Sequence, residues 1–347
     1  MEYKSSNVID LRVEVLRGGG VYTTLQPVTA PEVQMISTSA LKMNLRGQFY
    51  EPEKEVHWLT DRIRPILTIN GTEYPVGLYI GTTPERSSTG GRRTTRLEAY
   101  SVLFLADRVT IPSGYTIKAG TNYIGAVQEL LLLCGIVPYK AEGTDKTLAA
   151  DRADWPTGTK VLAVVNELLA EINYNDAWVD MAGVVQLTAY RQPSADAVDH
   201  VYNRGQYSII KDDTRVTTDY FDKSNVFRVV CSSPDLPEPL VAVVKNDDPN
   251  SPYSTVSLGV EIEEYVEVDG VADLVTLQEM AANLRYKSMQ TTETIQFETA
   301  LNPMHTTYDT VALDTGGESG IWSETEWRMV LDASGIMTHR AERVVIT

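Results

Sequence analysis

The 347-residue sequence is poor in cysteine and has no long apolar run, and each shortage excludes a class of protein. Its two cysteines, Cys134 and Cys231, are too few and too far apart for a disulfide framework or a metal cluster. We expect both to be buried small side chains. The longest apolar run, Leu130–Cys134, is far shorter than the ~18 residues of a membrane-spanning helix, so we expect no membrane segment.

The N-terminus, Met1-Glu2-Tyr3-Lys4, lacks the basic start and apolar stretch of a secretory signal. We therefore expect synthesis in the cytosol. Basic residues are also scarce, since 47 acids against 30 bases give a formal charge of −17. Such a surface repels nucleic acid, which excludes a protein that holds DNA by its phosphates. The simpler explanation of this charge is that it keeps the protein soluble. The alternative is that it lets DNA pass without binding.

The sequence also lacks the motifs that carry common chemistry. GxxxxGK[ST], GxGxxG, GxSxG and HExxH are all missing, so no nucleotide cradle, hydrolase elbow or helical zinc site is indicated. The four histidines are far apart along the chain: His57, His200, His305 and His339. We expect His57 and His305 to be surface or interface residues. No catalytic residue, cofactor-binding residue, metal ligand or cofactor is predicted.

Two polar clusters could be either a catalytic or metal-binding site or a plain solvated surface. Glycosidase carboxylates need only spatial proximity, which Glu261, Glu263 and Glu264 or the pair Glu324 and Glu326 could provide. In so acidic a chain a solvated acidic face is the better interpretation. The run 246–250 (Asn-Asp-Asp-Pro-Asn) could offer oxygens to calcium, but it lacks the EF-hand spacing and its proline favours a rigid turn.

Residues 1–110 have the pattern of an antiparallel β-domain. Alternating apolar residues from Ile9 to Val15, then Gly18-Gly19-Gly20 and a second alternating stretch, predict a β-hairpin. Further strands are expected at 40–49, 63–69, 77–80 and 96–102, with a hairpin turn at Asn70-Gly71. The polar, locally basic stretch 85–93 is expected to be a solvated loop, or alternatively a loop that orders against an acidic neighbour.

Residues 111–200 combine two helices with a hairpin. Thr121 or Asn122 can cap a helix that buries Ile124, Val127, Leu131 and Cys134 and stops at Gly135. A second helix begins near Thr159, with a buried face of Val161, Val164 or Val165, Leu168 and Ile172. A hairpin over 178–190 follows. Together these elements predict a small α+β unit.

Residues 201–347 return to strands around one helix. Strands are expected at 225–231, 240–244 and 261–268, with Pro234, Pro237 and Pro239 marking an edge or loop. Leu274, Leu277, Ala281 and Leu284 have helical spacing, and a terminal hairpin turns at 332–335 after Trp327, Met329 and Leu331. The fold class predicted is α+β and β-rich. Its domains are 1–110 (β), 111–200 (α+β insert) and 201–347 (β with one helix).

Four stretches of the sequence resemble baseplate-hub proteins of bacteriophage tails. They are 37–47 (STSALKMNLRG), 58–65 with 74–77 (WLTDRIRP, YPVG), 165–175 (VNELLAEINYN), and 221–227 with 246–249 (FDKSNVF, NDDP). The resemblance covers nearly the whole chain and includes prophage and siphophage tail proteins of Gram-positive hosts. It extends to contractile-tail hubs and late-control D proteins.

This resemblance implies a structural protein with two antiparallel β-barrel-like tube domains separated by an insert. Three copies would form a pseudo-hexameric ring around the DNA channel of the virion tail tip, assembled in the host cytoplasm, with acidic side chains along part of the channel. Partners would be the tail tube or distal tail protein on one side and spike or fibre proteins on the other, with the tape-measure protein as a further candidate. DNA would pass without specific binding.

Two alternatives come from other classes of protein. One is a cell-wall hydrolase of the tail tip, and the other is a carbohydrate-binding receptor module that stacks sugars on tryptophan. The five tryptophans are Trp58, Trp155, Trp178, Trp322 and Trp327, and a place in a core or an interface is the commoner fate of this residue. Because no motif carries a readable reaction, the sequence favours a structural protein over an enzyme.

Overall fold

The computed structural model describes residues 7–346 except for 138, 154, 206–207, 222, 233–237 and 269–273. The chain forms two compact units. The larger comprises Met1–Thr214 and Gln296–Ala341, and the smaller comprises Arg215–Ile295 and Glu342–Thr347. Within the described part of the chain, no helix has the length and apolar character needed to cross a membrane.

The chain begins with strands that are joined mostly by tight turns. They are β1 (Ile9–Arg17), β2 (Gly20–Leu25), β3 (Glu32–Ile36), β4 (Met43–Tyr50), β5 (Arg62–Ile69), β6 (Thr72–Pro75), β7 (Ile80–Gly81), β8 (Glu85–Thr89) and β9 (Arg92–Tyr100). The predicted first hairpin is confirmed, with Gly18 and Gly19 at positive φ between β1 and β2. Asn70 and Gly71 likewise turn β5 into β6, so the predicted turn is also confirmed.

The solvated loop predicted over 85–93 is wrong. Strands β8 and β9 pair there as a hairpin, with Gly90 and Gly91 at positive φ in a two-residue turn. Glycine adopts this conformation without steric cost, so the pair favours a hairpin where polarity alone indicated a loop. The alternative of an acidic neighbour fits better, since Glu51 lies 3.5 Å from Arg86 and 4.0 Å from Arg93.

The middle of the chain forms the two predicted helices and the predicted hairpin, together with a short helix and a short strand that were not predicted. They are α1 (Leu103–Arg108), α2 (Tyr123–Leu133), β10 (Tyr139–Ala141), α3 (Val161–Glu171), β11 (Trp178–Val179) and β12 (Val185–Leu187). The side chain of Asn122 accepts from the backbone N–H of Gly125 and Gly135 follows α2 at positive φ, so the predicted cap and stop are confirmed. A single hydrophobic core runs from Leu103 to Leu187, and Cys134 is buried in it.

The last part of the chain is again rich in strands. They are β13 (His200–Asn203), β14 (Ile210–Thr218), β15 (Val226–Cys231), β16 (Leu240–Lys245), β17 (Glu263–Val268), β18 (Gln290–Ala300), β19 (Thr310–Asp314), β20 (Ser319–Val330) and β21 (Ile336–Ile346). Helices α4 (Thr255–Leu258) and α5 (Leu274–Met289) lie among them. The predicted terminal hairpin is confirmed as β20 and β21. Pro234, Pro237, Asp222 and Met1–Lys4 lie outside the described residues.

Strand β20 pairs with β3, so the end of the chain completes a core begun near its start. The strand order of the largest sheet is β14-β18-β21-β20-β3-β4-β9-β7. Trp327 lies opposite Met35 and Met329 opposite Val33, and all four side chains are buried in one cluster with residues of β1, β4 and β5. The core of the first strands therefore contains side chains from the last hairpin.

In the smaller unit, α5 packs on a three-stranded sheet of order β16-β15-β17. Val229, Cys231 and Ala242 of the sheet contact Leu277 and Ala281 of the helix. These two helix positions confirm the predicted apolar stripe at its centre. The predicted acidic strand, β17, is largely exposed.

The β-rich α+β class is confirmed, with several antiparallel sheets. Among the described residues no sheet closes into a barrel. The two barrel-like tube domains thus remain a prediction from the resemblance.

Lys42, inside one of the hub-like motifs, is a buried cation of the larger unit. Its ammonium donates to the carbonyl oxygens of Ser37 (2.7 Å) and Ser39 (3.1 Å) and to Asp176 Oδ2 (3.1 Å). Asp176 lies just before β11, so this contact joins the first strands to the α+β elements. A buried ammonium is tolerated only when its donors are satisfied in this way.

We expect Lys42→Met to lower the free energy of unfolding by about 1–3 kcal/mol, because two carbonyls lose their donor. Urea unfolding measures this. The matched control is Lys118→Met at an exposed ion pair with Asp151, which should change stability by less than about 0.5 kcal/mol. Equal effects of the two changes would contradict a role for Lys42 in joining these elements.

Asp61, in the second hub-like motif, is a buried anion at the start of β5. Arg17 donates to both of its carboxylate oxygens at 2.7 Å, and the backbone N–H of His57 donates at 2.8 Å. The hydrogen bonds from Arg17 outweigh burial and lower the pKa of Asp61. The carboxylate therefore fixes the loop before β5.

Because the folded pKa of Asp61 is depressed, its stabilisation is full above the unfolded pKa of about 3.9 and is lost as pH falls through the folded pKa. We expect Asp61→Asn to be less stable at pH 7 and to lose less stability than wild type from about pH 5 to pH 3. Urea unfolding across this range tests it. Asp145→Asn, at an exposed carboxylate, should keep the wild-type pH slope, and a wild-type slope in Asp61→Asn would refute the assignment.

Candidate functional site: a buried histidine–carboxylate cluster

Three of the four histidines converge in the larger unit. His200, His305 and His339 meet Asp309 and Glu324 in a group that we call the histidine cluster. The side chains of His305, His339 and Glu324 are completely buried, and Asp309 and His200 are nearly so. Burying this many titratable groups requires that they satisfy one another.

Adjacent strands bring these residues together from distant parts of the chain. His200 begins β13, which pairs with β19, and β19 pairs with β20, which carries Glu324. His339 lies on β21, the partner of β20 in the terminal hairpin. His305 and Asp309 lie four residues apart in the loop between β18 and β19.

Glu324 is the centre of the cluster. Its Oε2 lies 2.5 Å from Nδ1 of His305 and its Oε1 lies 2.5 Å from Nδ1 of His339. Its backbone N–H donates to the carbonyl oxygen of Asp309 at 2.8 Å. One carboxylate thus connects the loop, β20 and β21.

Asp309 is the second anion of the cluster. Its Oδ2 lies 3.1 Å from Nε2 of His200 and 3.3 Å from Nδ1 of His305. Thr306 donates to it from its backbone N–H (2.7 Å) and its hydroxyl (2.6 Å). The His200 and His305 rings stack with centroids 3.7 Å apart.

Hydroxyl groups face the other nitrogens of the two buried rings. Tyr202 Oη lies 2.5 Å from Nε2 of His305 and accepts from the side-chain amide of Asn302 at 2.9 Å. Thr299 Oγ1 lies 2.9 Å from Nε2 of His339. Both rings are therefore held at each nitrogen, which fixes their orientation.

The charges of the cluster act on one another. Burial alone would lower the pKa of His305, but Glu324 and Asp309 raise it to about 9. Burial opposes ionisation of Glu324 and Asp309, yet the histidines hold the pKa of each carboxyl below its ordinary value. Burial lowers the pKa of His339 despite the attraction of Glu324. The two carboxylates therefore favour the protonated form more strongly at His305 than at His339.

An open pocket of about 780 Å³ reaches the cluster. Its wall includes Thr306, Asp309, Thr310, Ser323 and Glu324. The pocket therefore borders the cluster on the side of Asp309, whose side chain keeps 7% of its surface exposed.

Of the expectations from the sequence at these positions, one is confirmed and two are wrong. His57 is exposed, as expected, but the surface or interface position expected for His305 is wrong. The solvated face expected for Glu324 is also wrong, because this side chain lies at the centre of the cluster. The prediction that no residue ligates a metal or acts in catalysis stays a prediction.

Two signals in the sequence could have indicated the cluster. The predicted terminal hairpin already places residues 324 and 339 on neighbouring strands. His305 and Asp309 have the spacing H-x-x-x-D, which places a histidine close to a carboxylate. This spacing does not match a motif of two histidines. The pairing of β13 with β19, which adds His200, is non-local and has no such signal.

The other candidate positions have structural roles. The oxygens of Asn246 and Asp248 accept from N–H groups of their own turn, which confirms the predicted turn. Glu261 and Glu263 are exposed and pair with Lys245 and Arg228. Trp322 and Trp327 are completely buried, so these two rings cannot stack on sugars.

Comparison with known proteins identifies the fold. No protein-family model and no curated protein sequence matches this chain. Among solved structures, it is similar to the tail protein from Neisseria meningitidis MC58, with a TM-score of 0.60 and 13% identity over 96% of each chain. It is also similar to the 43 kDa tail protein of prophage MuSo2 from Shewanella oneidensis, with a TM-score of 0.61 and 13% identity over 96% of this chain and 98% of that one.

A third similar structure comes from a secretion machine. The E. coli c3393 protein, a type VI secretion component described as similar to the T4 tail proteins gp27 and gp5, matches with a TM-score of 0.53 and 10% identity. The match covers 96% of this chain and 76% of that one. The resemblance to phage tail proteins that the sequence motifs indicated is thus confirmed in the fold.

We expect Tyr202→Phe to lower the free energy of unfolding by about 1–3 kcal/mol, because the Nε2 of His305 and the amide of Asn302 lose a buried partner. Thermal and urea unfolding measure the change. Tyr190→Phe, at an exposed tyrosine of the same unit, is the matched control and should be neutral. A neutral Tyr202→Phe would mean that the hydroxyl does not support the cluster.

Proposed function

We propose that the chain is a structural, non-enzymatic component of a bacteriophage tail tip, of the baseplate-hub type. Three copies close into a ring around the DNA channel, and each contributes two tube-like β-domains and an α+β insert. The ring joins the tail tube or distal tail protein to the spike or fibre proteins. The observation that carries this proposal is the fold, which matches two tail proteins over nearly their whole lengths.

The smaller unit offers a surface that suits contact between copies. On β16, Ala242 is buried against α5 while Val241 and Val243 on the opposite face are 44% and 41% exposed. Tyr265 on β17 is 55% exposed. Strands β16 and β17 are also the edges of their sheet, and exposed edges and apolar faces favour pairing with another chain.

The charge of the chain is compatible with this function. A net charge of −17 keeps DNA phosphates from binding, which a channel for DNA requires.

A closed ring also needs head-to-tail contacts between copies. The rotation that relates one copy to the next must add up to a full turn, since other rotations would give open filaments.

The alternative functions receive less support. A hydrolase would need a carboxylate that reaches the substrate, and Glu324 is completely buried. A sugar-binding module would need exposed aromatic rings, and two of the five tryptophans lie in the core. Lysis of peptidoglycan in a zymogram would favour the hydrolase, and binding of the monomer to a glycan array would favour the receptor module.

We expect the purified chain to form trimers at high concentration or with its tail partners, visible as rings by electron microscopy. The double variant Val241→Glu/Val243→Glu should remain monomeric by light scattering, because two carboxylates would be buried unpaired at the contact. A stable dimer, or a trimer that this variant leaves intact, would contradict the proposed contact.

The control for this variant is an apolar pair in the larger unit that is somewhat more exposed. Leu132→Glu/Leu133→Glu on α2 changes the charge by the same amount at residues that are 62% and 49% exposed. It should leave the trimer intact, with circular dichroism confirming that both variants fold.

A further inference from the structure

The histidine cluster has the donor set of a transition-metal site. Two overlapping groups, His200 with His305 and Asp309, and His305 with Glu324 and His339, keep their ligand atoms within 4.8 Å of one another. We propose that the cluster binds one divalent metal ion of the zinc class, through His305, His339 and Glu324. This inference concerns the isolated chain and does not depend on the proposed tail function.

The donor atoms lie close enough together for one small ion to bind them after a small shift of Glu324. Tetrahedral zinc with bonds of 2.0–2.2 Å separates its ligand atoms by about 3.3 Å. Here Nδ1 of His305 lies 2.5 Å from Glu324 and 3.3 Å from Asp309, and Nδ1 of His339 lies 2.5 Å from Glu324. An outward shift of less than about 1 Å at Glu324 would produce the tetrahedral spacing.

The hydrogen bonds behind His339 direct a lone pair into the cluster. The Thr299 hydroxyl donates to the carbonyl oxygen of Ala300 at 2.8 Å, so its oxygen accepts from Nε2–H of His339. With the proton on Nε2, Nδ1 presents a lone pair to Glu324 Oε1. Two facing lone pairs repel each other, and a metal ion that both atoms bind would remove this repulsion. A hydroxyl that orients a ligating imidazole through its other nitrogen is a usual arrangement in metal sites.

The charge of the cluster also favours a divalent ion. Glu324 and Asp309 bring two negative charges into the interior, and a divalent ion would neutralise both. Imidazole ligands select zinc-class ions over magnesium and calcium.

The position of the cluster gives the ion a structural role. Its three ligands lie on three separate segments of the chain. The ion would hold the 301–309 loop, β20 and β21 together.

The test is metal binding by the intact chain. After dialysis against EDTA, the wild-type protein should rebind about one Zn²⁺ per chain by elemental analysis and calorimetry, and zinc should raise its unfolding temperature. Co²⁺ should give the visible absorption of a tetrahedral site. Mg²⁺ and Ca²⁺ should give neither effect.

Variants connect the binding to the cluster. Glu324→Gln and His339→Gln should abolish the Co²⁺ absorption, and Thr299→Val, which keeps the shape of the side chain, should weaken Zn²⁺ binding by about 10–100-fold. His57→Gln, at an exposed histidine outside the cluster, should bind as wild type.

Two outcomes would overturn the proposal. One is a wild-type chain that binds no Zn²⁺ and gives no tetrahedral Co²⁺ spectrum, which would mean that protons alone balance the cluster. The other is Zn²⁺ binding that Thr299→Val leaves unchanged and His57→Gln removes. If Glu324→Gln or His339→Gln fails to fold, the wild-type and Thr299→Val measurements still decide between these results.

Discussion

The antiparallel pairing of β20 with β3 is the contact on which the larger unit depends. It joins segments almost 300 residues apart in the sequence, and each pair of buried side chains across it, such as Trp327 with Met35, belongs to the core of the first strands. On the other face, Arg328 reaches Glu32 (3.0 Å) and Gln34 reaches Glu326 (2.7 Å). Closing so long a loop costs conformational entropy, which the buried tryptophan and methionine side chains must offset.

The same strand carries Glu324, so the register of β20 also decides whether the histidine cluster forms. A slip by one residue would turn Glu324 away from His305 and His339 and place Ser323 or Thr325 among the rings. The buried imidazoles would then lose their acceptor, at a large cost in free energy. The cluster therefore specifies one register of β20, and the hydrophobic pairs with β3 specify the same one.

Local signals in the sequence predicted the local structure. Gly18-Gly19 and Asn70-Gly71 supply positive φ, and Asn122 and Gly135 bound α2, so each of these elements is determined by a few adjacent residues. The pairing of β3 with β20, and of β13 with β19, joins distant segments and has no such signature. The predictions for His305 and Glu324 were wrong for the same reason, since residue type indicates exposure on average and only tertiary structure places His305 and His339 on either side of one carboxylate.

The fold and the resemblance bear on the function in different ways. The fold is that of phage tail proteins, whereas the ring, the channel and the partners are proposals that depend on assembly. Reconstruction of intact tails by cryo-electron microscopy tests them most directly. We expect three copies of this chain in a ring around the channel at the tail tip. A tail whose tip is complete without this chain, or one in which it lies elsewhere, would contradict it.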